Sequence, residues 1–455
     1  RAQYQGATPL LIAAENGHND IVKMLIENGA DINHAQNQGT TPLLVAAEKG
    51  HNHVVKMLIE KGAHINPAQN QGVTPLLIAA QNGHNDIVKM LIKNGAHINQ
   101  ARNDGVTPLL IAAQNGHNDI VKMLIKNGAH INQAQSQGAT PLLMATQNGH
   151  KDIVKILIKN GAHINQAQSQ GAIPLLIATQ IGHKDIVKIL IKNGAHINQA
   201  QSQGATPLFI AALQGYNDIV KILIEIGADI NQAENNGVTP LLIAAQNGHK
   251  DIVKMLIEKG AHINQAQKNG TTPLLIATQN GHSDIVKMLI KNGAHINQTK
   301  NNGAALLFIA TQNGHETIID ILLTNQKNIT ISFNNSEQKL LEFASKRNVE
   351  ESMRGLIEYK KISQNESSSK ITITPLEIAI VLGNSKIIEI FDKHHLLTNE
   401  AIHIAKACQQ AEIINYLTKQ QVNTNMFFYN ATISSQKNKL PLSDQLTPPR
   451  KKPRH

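Results

Sequence analysis

Residues 105–137 read G-V-T-P-L-L-I-A-A-Q-N-G-H-N-D-I-V-K-M-L-I-K-N-G-A-H-I-N-Q-A-Q-S-Q, and the punctuation of this stretch decides the architecture. Thr107 offers a hydroxyl to cap a helix, and Pro108 takes the first helical position, where its missing N–H costs nothing. A short apolar helix follows over 109–114, with Ala112 and Ala113 small enough for close approach, and Asn115-Gly116 breaks it. Asn118 and Asp119 open a second helix through Lys126, to which Ile120, Val121, Leu124 and Ile125 give an apolar face. Gly128 ends that helix because it accepts a left-handed backbone. Residues 129–137 read as an extended, turn-rich finger leading to the next glycine. A unit of helix, turn, helix and finger is too small to bury its apolar face alone.

The unit recurs. Gly6, Gly39, Gly72, Gly105, Gly138, Gly171, Gly204, Gly237, Gly270 and Gly303 stand 33 residues apart without an insertion. A fixed period of this length predicts an all-α repeat solenoid, which grows in one dimension and has no single central core. Composition agrees: aromatic residues make up 3% of the 455-residue chain and Trp is absent, so burial rests on Ile, Leu, Val and Ala. With Cys408 as its one cysteine, the chain can form no internal disulfide and no cysteine-based zinc cluster. No stretch approaches the roughly 20 apolar residues that span a bilayer. The chain opens at Arg1 and enters a repeat within five residues, which reads as a fragment or a processed chain.

The pattern G-x-T-P-L-x-x-A-A-x-x-G-H-x-x-I-V-x-x-L-I-x-x-G-A-x-I-N, carried over residues 6–303, resembles the ankyrin repeat almost position by position. The resemblance implies a stack of paired helices with a β-turn finger in each repeat, and a binding role. One residue departs from the family: the histidine after T-P-L is Leu11, Leu44, Leu77, Leu110, Leu143, Leu176, Leu242 and Leu275 here, and Phe209 in repeat seven. Because that histidine hydrogen-bonds adjacent repeats, the junctions here are expected to rely on apolar packing. The tenth repeat decays, with Ala305-Leu306 in place of Thr-Pro. Ten regular repeats are therefore expected over 1–335. Three degenerate ankyrin-like repeats follow over 336–420 (339–359, 374–395 and 399–419), with a small unrelated helical domain as the alternative. Residues 421–455 read as a disordered basic tail.

The 22 histidines form two main columns, one from His18 to His315 after glycine and one from His64 to His295 before Ile-Asn. Equivalent residues in packed repeats lie roughly 8–10 Å apart, whereas zinc needs ligands about 2 Å away. The columns are read as structural, the first matching a family histidine that braces the turn between helices. No metal and no cofactor is expected. The lysines from Lys23 to Lys287 form a solvated ridge on the second helices, with Asp86, Asp119 and Asp152 three residues earlier for i,i+3 pairing. That charge is too dilute for a specific nucleic-acid surface. No phosphate loop, H-E-x-x-H or G-x-S-x-G occurs; Cys408 near His403 on an alanine-rich helix reads as packing, and no enzyme is expected. The Asn of each G-A-x-I-N, such as Asn99 or Asn165, resembles the site that asparaginyl hydroxylases modify in some ankyrin proteins, against a plainer backbone-bracing role.

Ankyrin partners usually meet the fingertips and the exposed end of the first helix, on the concave side. There this chain is nearly uniform: Gln81/Asn82, Gln114/Asn115, Gln147/Asn148, Gln246/Asn247, Gln279/Asn280 and Gln312/Asn313. Amides are weak anchors compared with aromatic residues or Arg. Repeats six and seven break the pattern with Ile173, Ile181, Phe209, Leu213, Tyr216 and Ile226. Ile181, Leu213 and Tyr216 are expected to form an apolar binding spot that Ile226 borders and Gln180 and Gln214 flank. The competing reading is drift among duplicated copies, or packing of the two repeats on each other.

The last 20 residues carry six Lys/Arg against one acid, half of the chain's +10. Arg450, Lys451, Lys452 and Arg454 resemble a nuclear-import signal; a solvated terminus is the plainer account. The function expected is a monomeric scaffold or adaptor for a partner protein, with no membrane and no specific nucleic acid involved. The setting expected is the cytoplasm, or the nucleus if the tail acts. An effector exported into a host cell by an intracellular bacterium and a substrate-recruiting subunit of a ubiquitin ligase are the finer alternatives.

Overall fold

The computed structural model describes residues 6–296, 306–325, 333–335, 341, 344–364 and 371–420. The chain divides into two compact units, Arg1–Lys268 and Asn269–His455.

The first unit holds repeats one to eight, and repeat four shows why each folds as it does. Its first helix, Pro108–Asn115, starts where Thr107 Oγ1 accepts a hydrogen bond from Leu110 N at 3.2 Å and stops at Gly116, which takes φ 84°. The same cap forms at Thr8, Thr41, Thr74, Thr140, Thr206 and Thr239. Repeat six lacks it: Ile173 is buried without a side-chain cap, and Leu176 N turns instead to the Ile173 carbonyl at 3.0 Å. The second helix, Asn118–Lys126, buries Ile120, Val121 and Leu124. First helices pack on first helices along the stack, and second helices on second. The leucines that replace the family histidine are buried in this contact, Leu77, Leu110 and Leu176 completely; each contributes on the order of 2 kcal/mol by leaving water.

Polar bonds tie successive repeats together at three levels. At the fingers, Ser136 N donates to the Asp104 carbonyl at 2.9 Å. Near the second-helix ends, Asn99 Nδ2 donates to Gly128 O at 3.0 Å while its Oδ1 accepts from His130 N at 2.7 Å, so the Asn of G-A-x-I-N braces the next finger. At the first-helix ends, the Gln81 carbonyl accepts from Asn115 Nδ2 at 2.8 Å and from His117 Nε2 at 2.9 Å. The His117 ring also lies where a Cβ on Gly83 would stand, 2.6 Å from its Cε1. The histidine therefore braces the preceding repeat rather than only its own turn.

The second unit contains repeat nine (Pro273–Gln279 and Ser283–Lys291) and the helices Leu306–Gln312 and Glu316–Asn325 of repeat ten. The pair Pro375–Val381 and Ser385–Lys393 packs directly on repeat ten, first helix on first and second on second. Thr374 opens it with a reciprocal capping box to Glu377. Ala401–Ala407 packs on Pro375–Val381 in turn, and residues 411–420 are helical. Gln410 takes the histidine's place at this joint: its Nε2 donates to the Val381 carbonyl at 3.2 Å, and its Oε1 lies 2.8 Å from where a Cβ on Gly383 would be. Among the described residues, strand is confined to one antiparallel ladder, Phe333–Asn335 with Ile371–Ile373, register Phe333↔Ile373.

The helix Glu350–Gln364 packs against Pro375–Val381 and Ala401–Ala407, both first helices. It buries Met353, Leu356 and Ile357. Lys360 Nζ meets Glu377 Oε1 at 2.6 Å, with side chains only 7% and 6% exposed. Ser352 Oγ donates to the Cys408 carbonyl at 3.0 Å and accepts from Gln410 Nε2 at 3.0 Å. Since Ser352 lies at the C-terminal ends of the two first helices and Lys360 near the start of Pro375–Val381, the helix runs antiparallel to them.

Candidate interaction surface

Two columns close every first helix, at the two positions before the left-handed turn residue. In repeats three and four these are Gln81/Asn82 and Gln114/Asn115, the glutamines half-buried and the asparagines exposed. In repeat six the pair is Gln180/Ile181, and in repeat seven Leu213/Gln214. Ile181 is 41% exposed, Leu213 half-buried, and Gln180 and Gln214 exposed.

Tyr216 has a structural task there. It takes the position of the bracing histidine, its ring over Gly182, with Cζ 2.9 Å from a Cβ built on that glycine. Being longer than histidine, it reaches one carbonyl further, and its hydroxyl donates to Ile181 O at 3.4 Å. Ile226 caps the C-terminus of the second helix Asn217–Glu225 and is 38% exposed. Nine helical residues, about 13 Å of rise, separate it from Tyr216, so Ile226 stands apart from Ile181 and Leu213.

The same joints differ in their polar bonds. Ile181 removes the asparagine that clamps the preceding carbonyl in repeats three, four and eight, and among the described residues no side chain of repeat six bonds the Gln147 carbonyl. On the outer side, Lys151 reaches Asp185 of the next repeat and Lys184 reaches Asp218, both at 2.6 Å. These hydrogen bonds hold both carboxyls below the usual aspartate range. The expected i,i+3 pairing occurs at Lys122–Asp119 and Lys155–Asp152; in repeats six and seven the pair crosses the joint instead.

The helix pairs, left-handed turns and fingers find their counterpart among known families: the model for ankyrin repeats (3 copies) matches residues 1–69, 76–168, 125–201, 165–234, 226–300 and 263–335. The chain belongs to the ankyrin-repeat family. No curated protein matches it. Ankyrin repeats serve protein–protein interaction in general and are typically without catalytic activity.

Other candidates take their places within the ankyrin frame. The second histidine column holds its rings in solvent; His97, His163 and His196 set Nδ1 3.1–3.3 Å from the amide oxygens of Gln100, Gln166 and Gln199. No group of three His, Cys, Asp or Glu among the described residues is disposed to hold a metal ion. Cys408 is buried while His403 is exposed. Burial, and then the charge of Glu377, push the Cys408 thiol up to about 12, which leaves it protonated and a poor nucleophile at neutral pH. No helix among the described residues is long and apolar enough to cross a membrane. Arg450, Lys451, Lys452 and Arg454 lie outside the described residues.

Sequence reading missed the helix Glu350–Gln364 as an occupant of the first helices. A signal was present: Met353, Leu356, Ile357 and Lys360 fall on one helical face, and Val381-Leu382 and Ala407-Cys408 replace amides in the two columns.

Proposed function

We propose that this ankyrin protein is a scaffold or adaptor that holds a partner protein on the first-helix ends of repeats six and seven. Ile181 and Leu213 supply the apolar contact, and Gln180 and Gln214 the polar rim. The observation that carries this reading is Ile181: a large aliphatic side chain 41% exposed, in a column that the other regular repeats fill with amides or a lysine. Exposed apolar residues rimmed by polar ones favour recognition, since anchors at the centre of a contact carry most of its energy.

The test is quantitative capture from cell lysate by the native chain and by Ile181→Asn/Leu213→Gln, with Tyr216 left in place because it braces the joint. Both substitutions restore residues that other repeats carry, so the stack survives. Loss of a partner by about tenfold or more, equivalent to about 1.4 kcal/mol, supports the site; identical partners in equal amounts sink it. The partner's identity also decides between an exported effector and a ligase-recruiting subunit. A second reading rests on Arg450, Lys451, Lys452 and Arg454: nuclear import, checked by fusing residues 436–455 to a cytoplasmic reporter. An unchanged reporter distribution removes it.

A further inference from the structure

The chain contains its own precedent for what covers the first-helix ends. Counting back from the left-handed turn residues Gly383 (φ 67°) and Gln409 (φ 58°), the two columns hold Val381-Leu382 and Ala407-Cys408. These apolar pairs stand where regular repeats carry Gln and Asn. Val381 and Cys408 are buried, and the helix Glu350–Gln364 packs on the helices that bear them. Where the columns are amides, as in repeats three and four, the asparagines stay exposed. Apolar residues in these columns therefore go with a helix laid over them. Repeats six and seven carry the same change, at Ile181 and Leu213, and Ile181 remains exposed.

We propose that the face at Ile181 and Leu213 takes an amphipathic α-helix of the partner protein, seated antiparallel to the first helices as Glu350–Gln364 is on the C-terminal pairs. This deepens the reading of the preceding section and rests on it. The geometry also states the chemistry of that helix. Gly355 leaves room at its closest approach, since a Cβ there would run into the Ala407 carbonyl oxygen and stand 2.8 Å from the carbonyl carbon; the partner needs a small residue at the matching place. Three residues earlier, Ser352 bonds the Cys408 carbonyl. The equivalent carbonyl of repeat six is that of Ile181, which among the described residues accepts just the long 3.4 Å bond from Tyr216, so a partner hydroxyl finds an acceptor there. Lys360 faces Glu377, the third residue after the cap Thr374. Leu176 and Phe209, both buried in the stack, hold that position in repeats six and seven and offer no carboxylate, so the partner carries an uncharged residue where this helix carries lysine.

The probe is a fluorescent peptide of residues 349–364, stapled between the exposed positions Arg354 and Glu358 and carrying Lys360→Met, titrated by anisotropy against the full chain. The expected result is saturable binding, weakened by about tenfold or more on the Ile181→Asn/Leu213→Gln chain. Gly355→Leu in the peptide should abolish it, and restoring Lys360 should weaken it about fivefold or more, because the ammonium then loses water without gaining a partner. No saturation, or binding indifferent to Ile181→Asn/Leu213→Gln, overturns the proposal; the indifferent case means the peptide displaces its own copy in the C-terminal unit. The two readings fail separately: capture that depends on Ile181 and Leu213 without peptide binding leaves the site and removes the helix. Capture that ignores them removes both.

Discussion

The joint between repeats three and four and the joint at Val381–Gln410 solve one packing problem in two ways. In the first, Asn115 and His117 converge on the Gln81 carbonyl, and the asparagine edge stays in water. In the second, Gln410 serves the Val381 carbonyl alone while also bonding Ser352 of a helix that covers the edge. The open joint is held from within the stack; the covered joint borrows part of its stability from a segment outside it. Among the described residues, repeats six and seven combine an apolar edge of the covered kind with no covering helix, which makes them the informative place on the ankyrin surface.

The largest effect should come from the ion pair that fastens the covering helix. Lys360→Met leaves the Glu377 carboxylate buried without a counter-charge, at a cost of about 3–5 kcal/mol. Lys360→Met/Glu377→Leu restores the leucine that regular repeats carry and should return to within about 1 kcal/mol of the native chain, because well-packed apolar groups replace buried ion pairs with little loss. Urea denaturation with hydrogen exchange over residues 350–393 reads both. Equal losses in the single and double variants would mean that the lysine holds the helix by something other than charge.

Next comes Gly355→Ala, which sets the new methyl against the Ala407 carbonyl. Overpacking against backbone, less about 1 kcal/mol returned by alanine's helix propensity, leaves a net loss of about 2 kcal/mol. Proteolysis should open 350–364 in this variant and not in Arg354→Ala, whose side chain is exposed. Protection unchanged in both would break the comparison, since the covered joint would then owe nothing to close approach.

In the open joints the steps are smaller. His117→Ala should cost about 1 kcal/mol for one hydrogen bond. Thr146→Ala should gain about as much: Thr146 replaces the alanine of other repeats and buries a hydroxyl without a partner, a penalty that alanine removes. Thermal melts of the two variants moving in opposite directions would sharpen the picture of a stack held by redundant, local bonds; a loss for Thr146→Ala would mean that its methyl packing outweighs the orphan hydroxyl.

What the sequence displayed, and what it hid, follows the same division. The Thr-Pro caps, the glycine turns and the apolar face of each second helix are local, so the 33-residue period displayed them in full. The leucine column displayed apolar junctions for the same reason. The bracing bond of Tyr216 is not legible in sequence, because its partner carbonyl, Ile181 O, lies in another repeat. The pairing of Lys151 is equally hidden, because its partner Asp185 is 34 residues on. The seat of Glu350–Gln364 depends on Ala407 and Cys408, more than fifty residues downstream of Ser352, and no local pattern announces such a contact.

The smallest expected effect lies on the outer side of repeat ten, where Asp320 accepts from Lys393 Nζ at 2.9 Å and from His394 Nε2 at 2.8 Å. The Lys393 bond, and then that of His394, hold the Asp320 carboxyl below its ordinary value of 3.8. A carboxyl depressed in the folded chain contributes its full stabilisation above the unfolded value and loses it as pH falls through the folded one. The Asp320 side chain is 38% exposed, so screening cuts the contribution to a few tenths of a kcal/mol. Native chain and Asp320→Asn should therefore differ by about that much at pH 6 and converge as pH falls through the depressed folded value. A difference that persists at low pH would show that Asp320 acts through packing and neutral hydrogen bonds, and would give the pair 385–393 a tether to repeat ten that owes nothing to charge.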